Sequence, residues 1–253
     1  MATFNKEYEY NNVGTIVGTI CHVKELARKD GTAYGHEFLV NVKGHGSVNV
    51  RIPMLSKSQA MAEKFPANNR PHVRINLAQI DMYHNPNNGK IYTNFVTFAE
   101  FKEVGAEVED TIKGIFKGEI VDFKEADGVI KAKMVIFQTD KDGNLRTKYD
   151  GSALAPKQLI FTVEDALLKA QFNEEVQVGT NLAVGYTFTN KSEARFDEWG
   201  FPVEGGGRVT KVIAEKLVAM AGKKEKAPEP KHDFDSNPFN ADDFFITDED
   251  IPF

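Results

Sequence analysis

The sequence predicts a mainly β protein, built as two small five-stranded barrels in tandem and followed by a disordered acidic C-terminal tail. Three observations lead there. Apolar and polar residues alternate in short runs punctuated by Gly, Asp and Asn, the period of half-buried strands. One order of elements occurs twice along the chain. Beyond Gly222 the periodicity stops, and "KKEKAPEPKHDFDSNPFN" reads as linker, rich in lysine, proline and small residues.

The first half runs through two strands, "VGTIVGTICHV" and "AYGHEFLVNV", joined by a turn at "ARKDGT". A third strand "SVNVRIP" and a helical patch "SKSQAMAEKF" come next. The half closes with "HVRINLAQIDMY", the loop "HNPNNGK" and "IYTNFVTFAEF". The second half repeats this with "TIKGIFKGEIVDF", a turn at "KEADG", "VIKAKMVIFQ" and "KQLIFTV". A helical patch "EDALLKAQF", "NLAVGYTFTN", a long loop and "RVTKVIAEKLV" complete it. One short helix between the third and fourth of five strands is the element order of the oligonucleotide/oligosaccharide-binding barrel, the OB-fold. The alternative is one larger β-sandwich or barrel without duplication. The expected divisions are 1–105 for the first barrel, 106–222 for the second, and 223–253 for linker and tail.

Length suits one large or two small domains. No apolar run is long enough to span a bilayer, and the first residues lack a signal peptide's apolar segment, so a cytoplasmic protein of a bacterium or infected host cell is expected. The lone Cys21 cannot form an internal disulfide and is expected to be a small buried hydrophobe. The net charge of −6 is concentrated at the end of the chain. Residues 233–253 hold seven of the 37 acids and no Lys or Arg, leaving 30 acids against 31 bases in the body. A near-neutral body with a polyanionic tail permits an anionic ligand on one and a basic partner on the other.

The stretch "NNVGTIVGTICHVKELARKDGTAYGHEFLVNV" resembles the opening of bacterial-type single-stranded DNA-binding proteins. The likeness lies in a leading Asn-x-Val, Gly-x-Ile in the first strand, Glu25-Leu26, Gly31-Thr32-Ala33 and Phe38. The ending "DEDIPF" carries that family's more specific signature: acids followed by a terminal Ile-Pro-Phe. The resemblance covers the first barrel and the tail; the second half matches in element order alone. It implies sequence-tolerant binding of single-stranded DNA, no catalysis and no cofactor. It also implies a tail that recruits replication, recombination or repair proteins. Two barrels in one chain depart from the common one-barrel, four-subunit form. That layout points to a phage-encoded member and to a monomer or homodimer.

An OB barrel of this type binds on the outer face of its second and third strands and in the loops joining strands one to two and four to five. In "SVNVRIP", Val48, Val50 and Ile52 share one parity, which leaves Arg51 outward as a phosphate contact or a solvated arginine. In the second barrel Lys131 and Lys133 oppose the parity of Ile130, Ala132, Met134 and Ile136. Lys113 and Lys117 oppose Ile112, Phe116 and Ile120, so the four lysines form a stripe: a phosphate track or a solvated face. Phe38, Phe116, Phe161 and Phe188 sit at core parity. The stacking candidates in the first barrel are Tyr34 and His36 at the mouth of the first hairpin, and Tyr83, His84 and Tyr92 beside the Asn- and Pro-rich loop. In the second barrel they are Phe196, Trp199 and Phe201, with Arg195, in a loop ending in three glycines. Those aromatics stack on bases, or pack on the other barrel or a second subunit.

The tail tip reads as a docking peptide. Phe253 can bury its ring while its carboxylate meets a basic residue, Pro252 fixes the approach beside Ile251, and Asp248, Glu249 and Asp250 steer the encounter. A merely solubilising tail is the alternative. The six histidines are scattered without metal-ligand spacing, and the glycines before Arg208 lack the Lys-Ser/Thr of a phosphate loop. Glu103, Glu107, Glu109 and Asp110 read as a solvated acidic connector. The competing function is an OB-fold adaptor that recruits replication proteins without binding DNA.

Overall fold

The structure, a computed structural model, describes residues 4–84, 91–126, 128–140, 142–192, 195–196, 202–203 and 208–220. It is mainly β, and it contains the two barrels. The first is built from β1 (Asn11–Ala27), β2 (Ala33–Val42), β3 (Gly46–Ile52), α1 (Leu55–Lys64), β4 (His72–Ile75), β5 (Gln79–His84), β6 (Ile91–Val96) and β7 (Phe101–Glu103). The second uses β8 (Thr111–Ala126), β9 (Val129–Ile136), β10 (Lys157–Val163), α2 (Ala166–Glu175), β11 (Asn181–Ser192) and β14 (Arg208–Ala219). Short β12 (Arg195–Phe196) and β13 (Pro202–Val203) pair with each other between β11 and β14.

Each barrel closes in the same strand order. In the first, β1 pairs β2, β2 pairs β3, β3 runs parallel to β6, and β6 pairs β5. The expected fourth strand is broken at Leu77, whose φ of 53° turns the chain so that Ala78 N–H donates to Gly14 O at 2.8 Å. Its first part, β4, pairs β1, and the second part of the fifth strand, β7, pairs β4. In the second barrel β8, β9, β10, β14 and β11 follow one another and β11 returns to β8.

The repeat extends to irregularities. In β1, Ile20 faces Val40 and His22 faces Leu39, so Cys21 is an extra, bulged residue. In β8, Ile120 faces Met134 and Asp122 faces Lys133, so Val121 is bulged at the corresponding place. A glycine precedes each bulge by three residues. A Cβ on Gly18 would strike the Asn41 carbonyl and one on Gly118 the Val135 carbonyl, so the facing strand leaves room for hydrogen alone. A bulge sharpens strand twist and bends the strand, which helps a short sheet close on itself. Cys21 is accordingly exposed, not buried as expected, because a bulged residue leaves the alternation of its strand.

The expected core residues are buried: Val48, Val50, Ile52 and Phe38 in one barrel, and Ile130, Ala132, Met134, Phe116 and Phe161 in the other. Each large apolar side chain among them contributes about 1.5–3 kcal/mol on leaving water. Helix α1 sends Met61 and Phe65 inward; Phe101 meets Phe38 edge-on at 4.9 Å and Phe65 at 6.3 Å. Helix α2 starts at Asp165, whose carboxylate accepts the Leu167 and Leu168 amides, and it sends Phe172 against Phe123 at 5.2 Å.

The described residues cluster into two compact units. One holds those within 13–113 and 187–213; the other holds those within 4–12, 114–186 and 214–220. The arm formed by the ends of β11 and β14 thus belongs with the first barrel. Asn190 N–H donates to His45 O at 2.7 Å, and its amide Nδ2 donates to Ser47 O at 2.6 Å. Phe188 packs edge-on against Phe95 at 5.2 Å. Gly46, at φ 97°, lies so close to the Asn190 carbonyl that any side chain would collide with it. Asp110 is likewise more than solvated connector. One carboxylate oxygen accepts the Lys43 amide at 2.6 Å, and the other meets His72 Nε2 at 3.0 Å.

Candidate nucleic-acid interface

The outward face of the first barrel follows from strand register. Glu37 faces Arg51, Arg51 lies beside Val96, and Val96 faces Gln79, so these side chains form one row across β2, β3, β6 and β5. Lys24 of β1 faces Glu37 and extends the row. The next row, with Phe38, Val50, Phe95 and Ile80, is wholly buried, which fixes the first row as the outer one. Along the β5–β6 hairpin the outer face continues through Asp81 opposite Asn94 to Tyr83 opposite Tyr92. Tyr83 is 55% and Tyr92 44% exposed. Arg51 and the two tyrosines therefore share one sheet face, an arrangement that supplies a cation and two flat π surfaces.

Arg51 is held by a neighbour. Its Nε donates to Glu37 Oε2 at 2.6 Å, in a pair that remains partly open to solvent. Such a pair fixes the guanidinium but leaves its remaining N–H groups free to meet a phosphate. His36 does not join this face. His36 has the parity of Phe38, its Nδ1 bonds the hydroxyl of the buried Ser58 on α1 at 2.8 Å, and Tyr34 is half-buried in the bulge that closes the first hairpin. His36 belongs to the inner side of the β2 end, so the stacking role expected for it has no geometric support; Tyr34 is the extra residue of that bulge, and strand parity assigns it no face. For His84, the structure describes the backbone alone.

The second barrel's outer face carries lysine. Lys124 faces Lys131, which faces Thr162; Asp122 faces Lys133, which faces Ile160. The adjacent rows, Phe123–Ala132–Phe161 and Ile120–Met134–Leu159, make the inner side. Lys131 and Lys133 stand outward as expected. Lys124 was missed because the bulge at Val121 reverses parity in the second half of β8. Like charges placed directly opposite cost stability, so the Lys124–Lys131 pair is an unfavourable feature for the empty fold and a favourable one for an anion.

Lys113 is exposed, but Lys117 is not part of the stripe. It is 9% exposed and its Nζ donates to Glu9 Oε2 at 2.9 Å. The physical reason is the chain's own first residues, which cover β8 and β9 on that side. Phe4 and Tyr10 both meet Phe137 edge-on, at 5.5 and 5.2 Å, and Val135 is buried at outer parity. Sequence alternation gives the side a residue takes, not what lies over it.

The second-barrel loop is described in part. Arg195 and Phe196 pair through β12 with Val203 and Pro202, and their backbone path alone is described. Trp199 and Phe201 lie outside the described residues, as does the tail with Asp248, Glu249, Asp250, Ile251, Pro252 and Phe253. Among the described residues no group of three His, Cys, Asp or Glu is placed to hold a metal ion. No helix among them is long and apolar enough to cross a membrane.

No protein-family model matches the chain, and no curated protein does. Solved structures do. A deletion mutant of the single-stranded DNA binding protein from Thermus aquaticus superposes with a TM-score of 0.55 at 12% identity, covering 87% of this chain and 98% of that one. The wild-type protein from Thermus aquaticus gives 0.54 at 11% identity over the same shares. At such identity the likeness is one of fold, and it runs through both barrels. The chain has the tandem OB-fold architecture.

Proposed function

We propose that this chain binds single-stranded DNA without regard to sequence and has no catalytic role. The observation that carries the reading is the division of outer-face chemistry: Arg51 with Tyr83 and Tyr92 on one barrel, and Lys124, Lys131 and Lys133 on the other. Bases offer π faces whatever their identity, and phosphates repeat along the strand, so stacking surfaces and lysines together bind any sequence. The fold shared with the single-stranded DNA binding protein from Thermus aquaticus, in its wild-type and mutant forms, supports the same ligand. Lys113, Arg195, Phe196, Trp199 and Phe201 extend this proposed surface. Strand protection during replication, recombination and repair is the proposed role, carried out in a bacterial or infected-cell cytoplasm. The Ile251–Phe253 tip, preceded by Asp248, Glu249 and Asp250, recruits partner enzymes.

Fluorescent oligo(dT) and a matched duplex, titrated at low and moderate salt, test the reading. Binding of the single strand alone, weakened by salt through counterion release, is expected. Binding of neither probe would leave the OB-fold adaptor as the better account. Deletion of Ile251–Phe253 is expected to spare oligo(dT) binding and to remove partner capture; partner capture by the truncated chain would end the docking-tip proposal.

A further inference from the structure

The geometry points to a third site of strand binding that neither barrel face supplies: a rigid finger between β9 and β10, tipped by Tyr149, that stacks on one base. The inference rests on the proposed single-stranded DNA binding. The segment joining the two strands is not a slack loop. The chain makes a first turn closed by Asp140 N–H to Asn144 O at 2.8 Å, with Thr139 bridged to Leu145. It then runs back, with Arg146 N–H on Gln138 O at 2.9 Å, and forward again, with Leu154 N–H on Arg146 O at 2.8 Å. A bridge between Thr147 and Ala153 leads to a second turn at the tip.

That second turn is a β-turn, Lys148 to Gly151, closed by Gly151 N–H on Lys148 O at 3.0 Å, and Lys148 N–H reaches Ser152 O at 2.7 Å. Gly151 adopts φ 79°, a conformation that favours glycine and is common at the end of such turns. Asp150 braces it, accepting from the Ser152 amide at 2.9 Å and its hydroxyl at 2.6 Å. The Ser152 hydroxyl, then its amide, hold the Asp150 carboxyl below the usual range. Tyr149 sits second in the turn and is fully exposed, the most exposed of the large hydrophobic side chains described. Its neighbours Arg146 and Lys148 are exposed cations.

A braced turn that holds an aromatic ring wholly in water has no core to serve. The hydrogen bonds that shape the turn are made within the chain itself, and a turn so shaped in advance lowers the cost of binding. A nucleobase is the ligand this suits, with Arg146 and Lys148 placed for the flanking phosphates. From Lys131 to the end of β9 is roughly 17 Å of strand, so the lysine face and the finger lie within reach of one short oligonucleotide.

Oligo(dT) affinity of the full chain, of Tyr149→Ala and of Tyr149→Phe tests this, with far-UV circular dichroism to confirm folding. Tyr149→Ala is expected to weaken binding about tenfold with an unchanged salt dependence, since the ring carries no charge. Tyr149→Phe keeps the ring and is expected to bind as the parent does. Parental binding with no loss in Tyr149→Ala would overturn the finger and leave the barrel faces standing. Absence of binding by the parent chain would remove the functional reading, and the finger with it.

Discussion

Tyr83 and Tyr92 face each other across the β5–β6 ladder, on the same outer sheet face as Arg51. The sequence places them merely on either side of a loop; the register makes them a pair. A cross-strand aromatic pair stabilises a hairpin by roughly 0.2–1 kcal/mol, whereas a stacked base is worth about 1–3 kcal/mol. Tyr83→Ala and Tyr92→Ala are therefore expected to lower oligo(dT) affinity more than they lower fold stability. Thermal melts beside equilibrium titrations check this. A loss confined to the melting temperature would assign the pair to the hairpin alone.

Glu37 holds the guanidinium of Arg51, so in the proposed interface it would compete with a phosphate for that group. Glu37→Gln removes a negative charge from the proposed path and keeps a hydrogen-bond acceptor for Arg51 Nε. Binding is expected to tighten severalfold at low salt, with the gain fading as salt screens the site. Unchanged affinity at low ionic strength would place Arg51 off the strand's path.

The Lys124–Lys131 opposition predicts effects of opposite sign from one substitution. Lys131→Glu replaces a like-charge cross-strand pair by an attractive one, worth roughly 0.2–1 kcal/mol to the fold. The same change is expected to weaken oligo(dT) binding and make its salt dependence shallower, by about 0.7 in the log–log slope for each phosphate no longer neutralised. Denaturant unfolding and salt-dependent titration read the two effects separately. A variant both more stable and equally tight would remove Lys131 from the interface.

Tyr186 offers a pH prediction. It is fully buried, its ring stacks on Phe116 at 5.2 Å, and its hydroxyl has no hydrogen-bond partner among the described residues. Burial raises its pKa well above the ordinary 10.0. As pH rises past that ordinary value the unfolded chain gives up the proton while the folded chain keeps it, so stability falls. Tyr186→Phe should flatten the loss between about pH 9 and 11 and add about 1 kcal/mol at neutral pH by removing an unsatisfied hydroxyl. Destabilisation of similar size at neutral pH would mean that the hydroxyl is satisfied.

Much of the architecture was legible from period and punctuation. The parity of Val48, Val50 and Ile52, and that of Ile130, Ala132 and Met134, assigned the core, because strand side chains alternate with a period of two and one side must be apolar. The placement of one helix among five strands in each half named the fold. Arg51, Lys131 and Lys133 came out on the outward side for the same reason.

Tertiary structure decided the rest. The bulges at Cys21 and Val121 insert one residue each, exposing the cysteine and turning Lys124 outward, and no local composition marks such an insertion. Lys117 has outer parity and is nevertheless covered, because Glu9, Tyr10 and Phe4 come to it from the far end of the unit's sequence. His36 was drawn to Ser58, and Asn190 near the end of β11 joined the first barrel through His45, Gly46 and Ser47, in both cases through partners distant along the chain. Alternation is a local signal and determines which way a side chain points. What meets it there is set by segments that only folding brings close.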